Sequence, residues 1–218
     1  MPAKFTHARF LVLCVSLGLF CLAAGVTAWR LYMAGKLATT ESLILLPEPR
    51  IIADFALVDE RNEPFSLAGL KGHWSLLFFG FTACPDACPN TLYQLQQARR
   101  LMLEHADEAQ IPQIYLVSVD PERDTPQKLA AYLDYFDPAF TGLTGEDIQL
   151  QALALQLGIA YFVEPHDTGD TEYTVDHSAS LLLLNPEAQL QGVLPAAQEA
   201  AGIAQAVLTV IRPGGSAP

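Results

Sequence analysis

The chain has 218 residues, of which 51% are hydrophobic, and its 24 acidic side chains outnumber the 12 basic ones, giving a formal net charge of −12 at pH 7. This length and apolar content allow one ordinary domain with a sizeable core plus a membrane segment. Because an acidic surface repels phosphate groups, the composition argues against nucleic acid as a partner and suits cationic partners or metal ions better.

The basic residues are concentrated at the N-terminus. Four of the 12 lie in the first 36 residues, and no Asp or Glu precedes Glu41, so the rest of the chain carries a formal charge of −16. The segment from Phe10 to Trp29 contains no charged residue and is long enough to cross a bilayer. Lys4 and Arg9 precede it, which is typical of a membrane segment whose N-terminus stays in the cytoplasm.

Two interpretations of this segment stay open. A cleaved signal peptide would end at the small residues Val26-Thr27-Ala28, but the apolar run is long for a signal peptide and favours an uncleaved anchor. Both interpretations place the following domain outside the cytoplasm. With the anchor, we expect a single-pass protein of the bacterial inner membrane whose C-terminal domain lies in the periplasm. The expected parts are a short cytoplasmic tail (1–9), a transmembrane anchor (10–30), a linker (31–50), the exported domain (51–212) and a flexible tail (213–218).

The pattern after the linker alternates between strands and helices. Residues 55–67 predict two short strands around a turn, and the apolar run 72–81 predicts a buried central strand. A helix over 91–106 follows, with Pro89 at its first position, and residues 113–120 predict the next buried strand. This order predicts an α/β domain of thioredoxin-like fold, with a central mixed sheet flanked by helices, behind an N-terminal transmembrane helix. The later predicted elements are a helix capped by Thr125, a helix ending at Gly158, a strand pair turned at 185–188 and a closing helix over 196–211.

Two cysteines lie directly after the first buried strand, in the stretch GFTACPDACPN. Cys14 and Cys21 belong to the apolar N-terminal segment, so Cys84 and Cys88 are the pair of the exported domain. A disulfide between them would close a very short loop and add little stability, so a structural role alone does not explain the pair. A position at the start of a helix predicts a lowered thiol pKa, and a thiolate both attacks disulfides and binds soft metal ions. A redox pair and a metal site therefore stay open as alternatives.

A third ligand would favour the metal site. His73 lies at the far end of its predicted strand, His105 lies at the far end of its predicted helix, and we expect His166 to be solvated in a polar loop. His177 precedes a late strand and is the candidate that faces the cysteines, with Asp176 or another nearby acceptor orienting its ring. Two thiolates and one imidazole suit copper, whereas Zn(II) would require a fourth ligand.

Four stretches, in this order and spacing, resemble the Sco/SenC family: GFTACPDACPNTL, VSVDPERDTPQKLAAYLDYF, GLTG and YTVDHSAS. The resemblance covers roughly residues 50–210. It implies a membrane-anchored, thioredoxin-like copper protein that assists assembly of the binuclear copper site of cytochrome c oxidase. Cys84, Cys88 and His177 are the copper ligands that the resemblance implies. Asp120, in SVDP, is interpreted as a structural or supporting residue rather than a ligand.

The function implied by the resemblance is that of a copper metallochaperone. Such a protein holds Cu(I) or Cu(II) and passes it to the copper-bearing subunit of the oxidase, with another copper donor or a thiol–disulfide protein as a further partner. The alternative is a thiol–disulfide oxidoreductase in which Cys84 and Cys88 form the redox pair that keeps the oxidase's copper-ligand cysteines reduced. Only the metallochaperone requires His177.

Overall fold

The computed structural model describes residues 15–18, 20–22, 24–27, 43–167, 169–195 and 198–211. The chain divides into two compact units, Met1–Thr40 and Glu41–Pro218. The described residues of the first unit are helical, and no helix within the described ranges is both long enough and apolar enough to cross a membrane. The rest of the predicted anchor, both predicted tails and most of the predicted linker lie outside the described residues.

The second unit is built on a mixed β-sheet. In chain order its strands are β1 Ile44–Arg50, β2 Leu57–Asp59, β3 Pro64–Phe65, β4 Ser75–Gly80, β5 Gln113–Ser118, β6 Thr141–Thr144, β7 Tyr161–Val163, β8 Val175–His177, β9 Leu181–Leu184 and β10 Leu190–Leu194. Eight of these strands are hydrogen-bonded in the order β1-β10-β9-β4-β5-β6-β2-β3. Strands β4, β5 and β6 run parallel, and their other neighbours in the sheet are antiparallel. Strands β7 and β8 form a separate antiparallel pair.

Four helices complete the second unit within the described ranges. They are α1 Ala87–Leu103, α2 Pro126–Asp134, α3 Asp147–Leu157 and α4 Ala200–Ile211, with a single 3-10 turn at Leu67–Leu70. The predicted ends of two helices are confirmed, because the Thr125 hydroxyl accepts the Lys128 N–H at the start of α2 and Gly158 ends α3 with φ of 74°. Helices α1 and α4 pack against each other, and α2 packs on β6. The predicted mixed sheet flanked by helices is confirmed.

The centre of the sheet fixes the position of the loops that follow it. Every residue of β4 is buried, as the continuous apolar run predicted, and its parallel neighbour β5 is buried from its second residue onward. The two strands end side by side, because Gly80 pairs with Ser118. The cysteine-bearing loop after β4 therefore lies next to the loop that follows β5.

The structure differs from the prediction at the end of the expected linker. Residues 44–50 form β1, which pairs with β10 at the edge of the sheet. Pro47 and Pro49 suggested a linker because proline cannot donate a ladder hydrogen bond. An edge strand tolerates them because it has a neighbour on one side only. Strands β6, β7 and β8, of three or four residues each, were also not predicted.

Candidate metal centre

The two cysteines lie at the junction between β4 and α1. Cys84 is half-buried in the loop after β4, and Cys88 is fully buried in the first turn of α1, which begins two residues before the predicted Pro89. The backbone N–H of Cys88 donates to Sγ of Cys84 at 3.3 Å. This N–H is one of the donors at the helix start that has no partner within the helix. Neither thiol is joined in a disulfide.

His177, the last residue of β8, faces the same junction. Its Nε2 atom lies 3.3 Å from Sγ of Cys88. The sulfur atoms of Cys84 and Cys88 and a ring nitrogen of His177 all lie within 4.8 Å of one another. In the part of the chain that the structure describes, this is the one group of three His, Cys, Asp or Glu residues arranged to hold a metal ion. The structure therefore brings together the three residues that the sequence predicted as copper ligands.

The imidazole of His177 is oriented by its own backbone and by two aromatic rings. Nδ1 lies 3.2 Å from the carbonyl oxygen of Ser178, which fixes the proton on Nδ1 and leaves the lone pair of Nε2 directed at the cysteines. Of the two predicted alternatives, Asp176 or another nearby acceptor, the structure shows the second, since the orienting acceptor is this carbonyl. Phe78 and Phe81 stand edge-on to the ring, with centroids 6.0 Å and 5.8 Å away. Nε2 is therefore presented as a neutral ligand from an apolar wall.

Burial controls the protonation of the site. It raises the pKa of the Cys88 thiol, and the neighbouring Cys84 sulfur adds to the increase, while a backbone hydrogen bond from Phe81 opposes it. The expectation that the helix start lowers the pKa is therefore wrong for Cys88. Burial also lowers the pKa of His177, against the opposing effects of the Ser178 carbonyl and Asp176. Both shifts favour the uncharged form of the side chain, the thiol of Cys88 and the neutral imidazole of His177.

Gly80, the last residue of β4, makes room for the site. A Cβ atom on this residue would lie 3.0 Å from Sγ of Cys88 and 2.8 Å from a ring carbon of Phe78. Both distances are shorter than an ordinary van der Waals contact. Any side chain at residue 80 would therefore displace a ligand or a wall of the site, and the sequence analysis did not single this residue out.

Asp124 holds the cysteine loop and was missed by the sequence analysis. Its fully buried carboxylate accepts hydrogen bonds from the Thr82 backbone N–H at 3.0 Å, from the Thr82 hydroxyl at 2.5 Å and from the Ser118 hydroxyl at 2.7 Å. Lys128 Nζ lies 3.6 Å from the same carboxylate. The available sequence signal was Ser118, a polar residue inside an apolar strand, which requires a buried partner.

Asp120 does not contact the ligands, in agreement with its interpretation as a supporting residue. Its carboxylate is buried and accepts hydrogen bonds from Arg123 Nε at 2.5 Å and from the Tyr173 hydroxyl at 2.6 Å. Tyr173 belongs to the segment that leads into β8 and His177. The two aspartates of the stretch DPERD thus serve different parts of the site: Asp124 holds the cysteine loop and Asp120 binds the segment before the histidine.

The other histidines of the second unit lie away from this site. Nε2 of His73 lies 3.1 Å from the Tyr115 hydroxyl, and His105 follows the C-terminal end of α1, opposite the cysteines. His166 is not solvated as expected. Its side chain is 12% exposed, it stacks on the Tyr173 ring at 3.6 Å between centroids, and its Nε2 lies 3.1 Å from a carboxylate oxygen of Glu122.

The donor set fits a soft metal ion. Two sulfur donors and one imidazole nitrogen are the ligands that copper prefers, and Zn(II) would require a fourth ligand that the described residues do not place in this group. The centre is walled by phenylalanine rings on the His177 side, while Cys84 is partly exposed. The arrangement can therefore hold one copper ion and leave one of its ligands within reach of a partner.

Comparisons with known proteins agree with this chemistry. The SCO1/SenC family model matches residues 45–212. A candidate copper-binding protein of Stutzerimonas stutzeri is 40% identical over 193 residues, which cover 88% of this chain and 89% of that protein. The mitochondrial SCO2 homologue of Mus musculus is 40% identical over 134 residues, which cover 62% of this chain and 52% of the mouse protein, so the chain spans about half the length of that relative.

A solved structure agrees as well. Arabidopsis thaliana ScoI with copper bound has a TM-score of 0.67 and 30% identity to this chain, and the alignment covers 73% of this chain and 96% of the other. The predicted family resemblance is therefore confirmed, and the chain belongs to the SCO1/SenC family.

Proposed function

We propose that the chain is a membrane-anchored copper metallochaperone that holds copper through Cys84, Cys88 and His177. In this proposal it delivers the ion to the binuclear copper site of cytochrome c oxidase during assembly. The main support is that the two cysteine sulfur atoms and a ring nitrogen of His177, which is far from them in the sequence, lie within 4.8 Å of one another. The copper-bound Arabidopsis structure and the relative named for copper binding support the choice of metal.

The proposed location is the bacterial inner membrane, with the copper site in the periplasm. The uncharged segment from Phe10 to Trp29 supports the anchor, and the basic residues before it support a cytoplasmic N-terminus. The proposed partners are the copper-bearing subunit of the oxidase and a separate protein that supplies copper or exchanges disulfides. The net negative charge of the second unit argues against nucleic acid.

The unequal burial of the two cysteines sets the order in which a partner replaces the copper ligands. Cys88 is fully buried and its Sγ lies 3.3 Å from Nε2 of His177, whereas Cys84 is half-buried within the loop. An incoming thiolate therefore reaches the copper ion from the Cys84 side and replaces that ligand first. Displacement of Cys88 and His177 follows, so the ion always retains ligands while it moves. Because ligands must be deprotonated, binding releases protons and the affinity falls as the pH falls.

The test is a copper titration of the full-length chain, purified in detergent, reduced and free of metal. We expect one tightly bound copper ion per chain, and His177→Ala is expected to weaken binding by at least about 100-fold because a ligand is lost. His105→Ala is the matched control, since His105 lies at the opposite end of α1. Absence of tight binding by the wild type, or equal affinity of the His177→Ala variant, would contradict the proposal.

Delivery is tested separately by mixing the copper-loaded chain with the metal-free copper-bearing domain of an oxidase subunit. We expect the spectrum of the binuclear copper site to appear in the acceptor. Copper that stays on the donor while the acceptor accepts free copper would contradict delivery and leave binding intact.

The partial exposure of Cys84 also supports the alternative function, a thiol–disulfide reductase. The Cys84 thiolate would attack a partner disulfide, form a mixed disulfide and release one partner thiolate. Cys88, deprotonated in turn, would then attack Sγ of Cys84, release the second partner thiolate and leave a disulfide between Cys84 and Cys88. His177→Ala separates the functions, since it is expected to weaken copper binding by at least about 100-fold while disulfide reduction is retained.

A further inference from the structure

Arg123 lies in a nearly buried cluster beside the metal centre. Its side chain is 10% exposed and that of Asp120 is 1% exposed, and the two are joined by the 2.5 Å contact between Nε and Oδ2. The central guanidinium carbon lies 3.7 Å from the centroid of the Tyr173 ring, and the Tyr173 hydroxyl donates to the other oxygen of Asp120 at 2.6 Å. We call Asp120, Arg123 and Tyr173 the arginine cluster.

The arginine cluster binds the backbone that leads to His177. Arg123 NH1 donates to the carbonyl oxygens of Thr171 and Tyr173, at 3.0 Å each. Tyr173 lies two residues before β8, and β8 ends at His177. Asp120 and Arg123 themselves follow β5, whose neighbour β4 leads into the loop and helix that carry the cysteines. The cluster thus connects the histidine-bearing segment to the sheet end that positions Cys84 and Cys88.

The segment needs such a connection because its own strand pairing is slight. Strands β7 and β8 have three residues each, and within the described ranges they pair with each other and not with the eight-stranded sheet. An isolated two-stranded pair is marginally stable in water. The position of His177 therefore depends on contacts from outside the pair.

Arg123 makes a second contact, to Phe81, whose ring in turn lies against His177. The guanidinium carbon lies 5.7 Å from the centroid of Phe81, and the Phe81 ring stands edge-on to His177 at 5.8 Å. Arg123 thus lies behind one wall of the metal centre and also binds the backbone that carries the third ligand. It contacts none of the three proposed copper ligands directly, so any effect on copper binding passes through their position.

We propose that Arg123 is a positioning residue that holds His177 within ligand distance of Cys84 and Cys88, so that copper meets a preformed three-ligand site. The inference rests on the proposed copper-binding function. Lysine cannot replace Arg123, because one ammonium group does not stack on Tyr173, pair with Asp120 and bridge two carbonyl groups in the same geometry.

The test compares Arg123→Lys in the wild-type and the His177→Ala backgrounds, using the full-length chain and a competing Cu(I) chelator. We expect Arg123→Lys to weaken copper binding by about 10- to 100-fold in the wild type, the range typical of residues that orient a ligand. In the His177→Ala background we expect no further loss, because the residue that Arg123 positions is already absent. Equal losses in both backgrounds, or no loss in either, would overturn the inference.

Arg99→Lys is the matched control. Arg99 is 15% exposed and paired with Glu108 and Asp137, so the substitution also perturbs a nearly buried arginine. We expect it to lower the unfolding temperature of the metal-free chain without changing copper affinity. Tyr173→Phe, which removes only the hydroxyl bonded to Asp120, provides a milder variant of the cluster. If Arg123→Lys does not fold, Tyr173→Phe is expected to weaken copper binding in the wild-type background and to cause no further loss in the His177→Ala background.

Amide hydrogen exchange tests the positioning role without copper. In the metal-free chain we expect Arg123→Lys to accelerate exchange over residues 171–177, while Arg99→Lys leaves that segment unchanged. Unchanged exchange over 171–177 would overturn the inference even if copper binds. Faster exchange in a chain that binds no copper would retain the positioning role and reject the proposed function instead.

Discussion

Replacing Gly80 by Ala is the sharpest test of the site's packing. The new Cβ atom would lie 3.0 Å from Sγ of Cys88 and 2.8 Å from a ring carbon of Phe78. The φ angle of Gly80 is not positive, so alanine adds no backbone strain and the effect comes from these two contacts alone. One contact is to a proposed copper ligand, and the other is to a ring that stands against His177.

The size of the effect follows from the contact distances. To reach an ordinary separation of about 3.5 Å, the sulfur atom must retreat by roughly 0.5 Å. Overpacking of this kind costs about 1–3 kcal/mol of unfolding free energy. A binding site must hold its ligands to within about 0.5 Å of the productive geometry, so a displacement of this size reaches that limit. We therefore expect Gly80→Ala to weaken copper binding by about 10- to 100-fold.

Gly142→Ala separates the two effects. Its Cβ atom would lie 2.9 Å from Cβ of Leu129 and 3.1 Å from a methyl carbon of Leu133, in β6 and away from the ligands. Both variants are measured by urea unfolding of the metal-free chain and by competition for Cu(I). We expect similar losses of stability, and a loss of copper affinity only in Gly80→Ala. Equal copper affinities in the two variants would refute the reasoning.

Three further predictions concern individual groups of the site. Asp124→Asn is expected to lower the unfolding free energy by about 3 kcal/mol, because the buried carboxylate accepts several hydrogen bonds from the cysteine loop and β5; an unchanged urea midpoint would contradict this. In the metal-free chain, iodoacetamide is expected to label Cys84 before Cys88, because burial shields Cys88 and raises its pKa; peptide mass spectrometry would show equal labelling if this is wrong. The NMR titration of His177 is expected to give a pKa below the usual 6.5. Since the unfolded chain then binds this proton more readily than the folded chain, stability is lost as the pH falls through 6.5, and a pKa at or above 6.5 would reject the stated effect of burial.

Most of the fold follows from local sequence patterns. The apolar run of β4 has strand length and no polar interruption, and the buried side of α1 recurs at helical spacing, at Leu92, Leu95, Ala98 and Met102. Strand β1 could not be predicted in this way. Its prolines suggest a linker, and it becomes a strand only because β10 offers a free edge. The three-residue strands β7 and β8 carry no periodicity long enough to detect.

The ligands of the site were predictable, and so was Asp120 as a supporting residue, but Gly80 and Asp124 were not. Cys84 and Cys88 carry a rare spacing after a buried strand, and His177 was selected by its position before another strand. Gly80 and Asp124 carry no such signal, because their roles arise from contacts between segments distant in the sequence. The pKa of Cys88 was predicted to be lowered, whereas burial raises it, because the helix start is visible in the sequence and the depth of burial is not.

Burial favours the protonated form of Cys88 and the deprotonated form of His177, and these two preferences affect how the site takes up copper. Burial disfavours charge on either group and so favours a neutral thiol beside a neutral imidazole in the metal-free site. The arrival of copper reverses the preference at Cys88, because a cation next to the sulfur stabilises the thiolate that burial opposes. Copper and the Cys88 proton therefore compete for one buried position, while His177 already presents Nε2 as a ligand. When copper leaves, the Cys88 thiolate takes up a proton again, from solvent or from the thiol whose sulfur replaces it, so copper affinity is expected to fall as the pH falls.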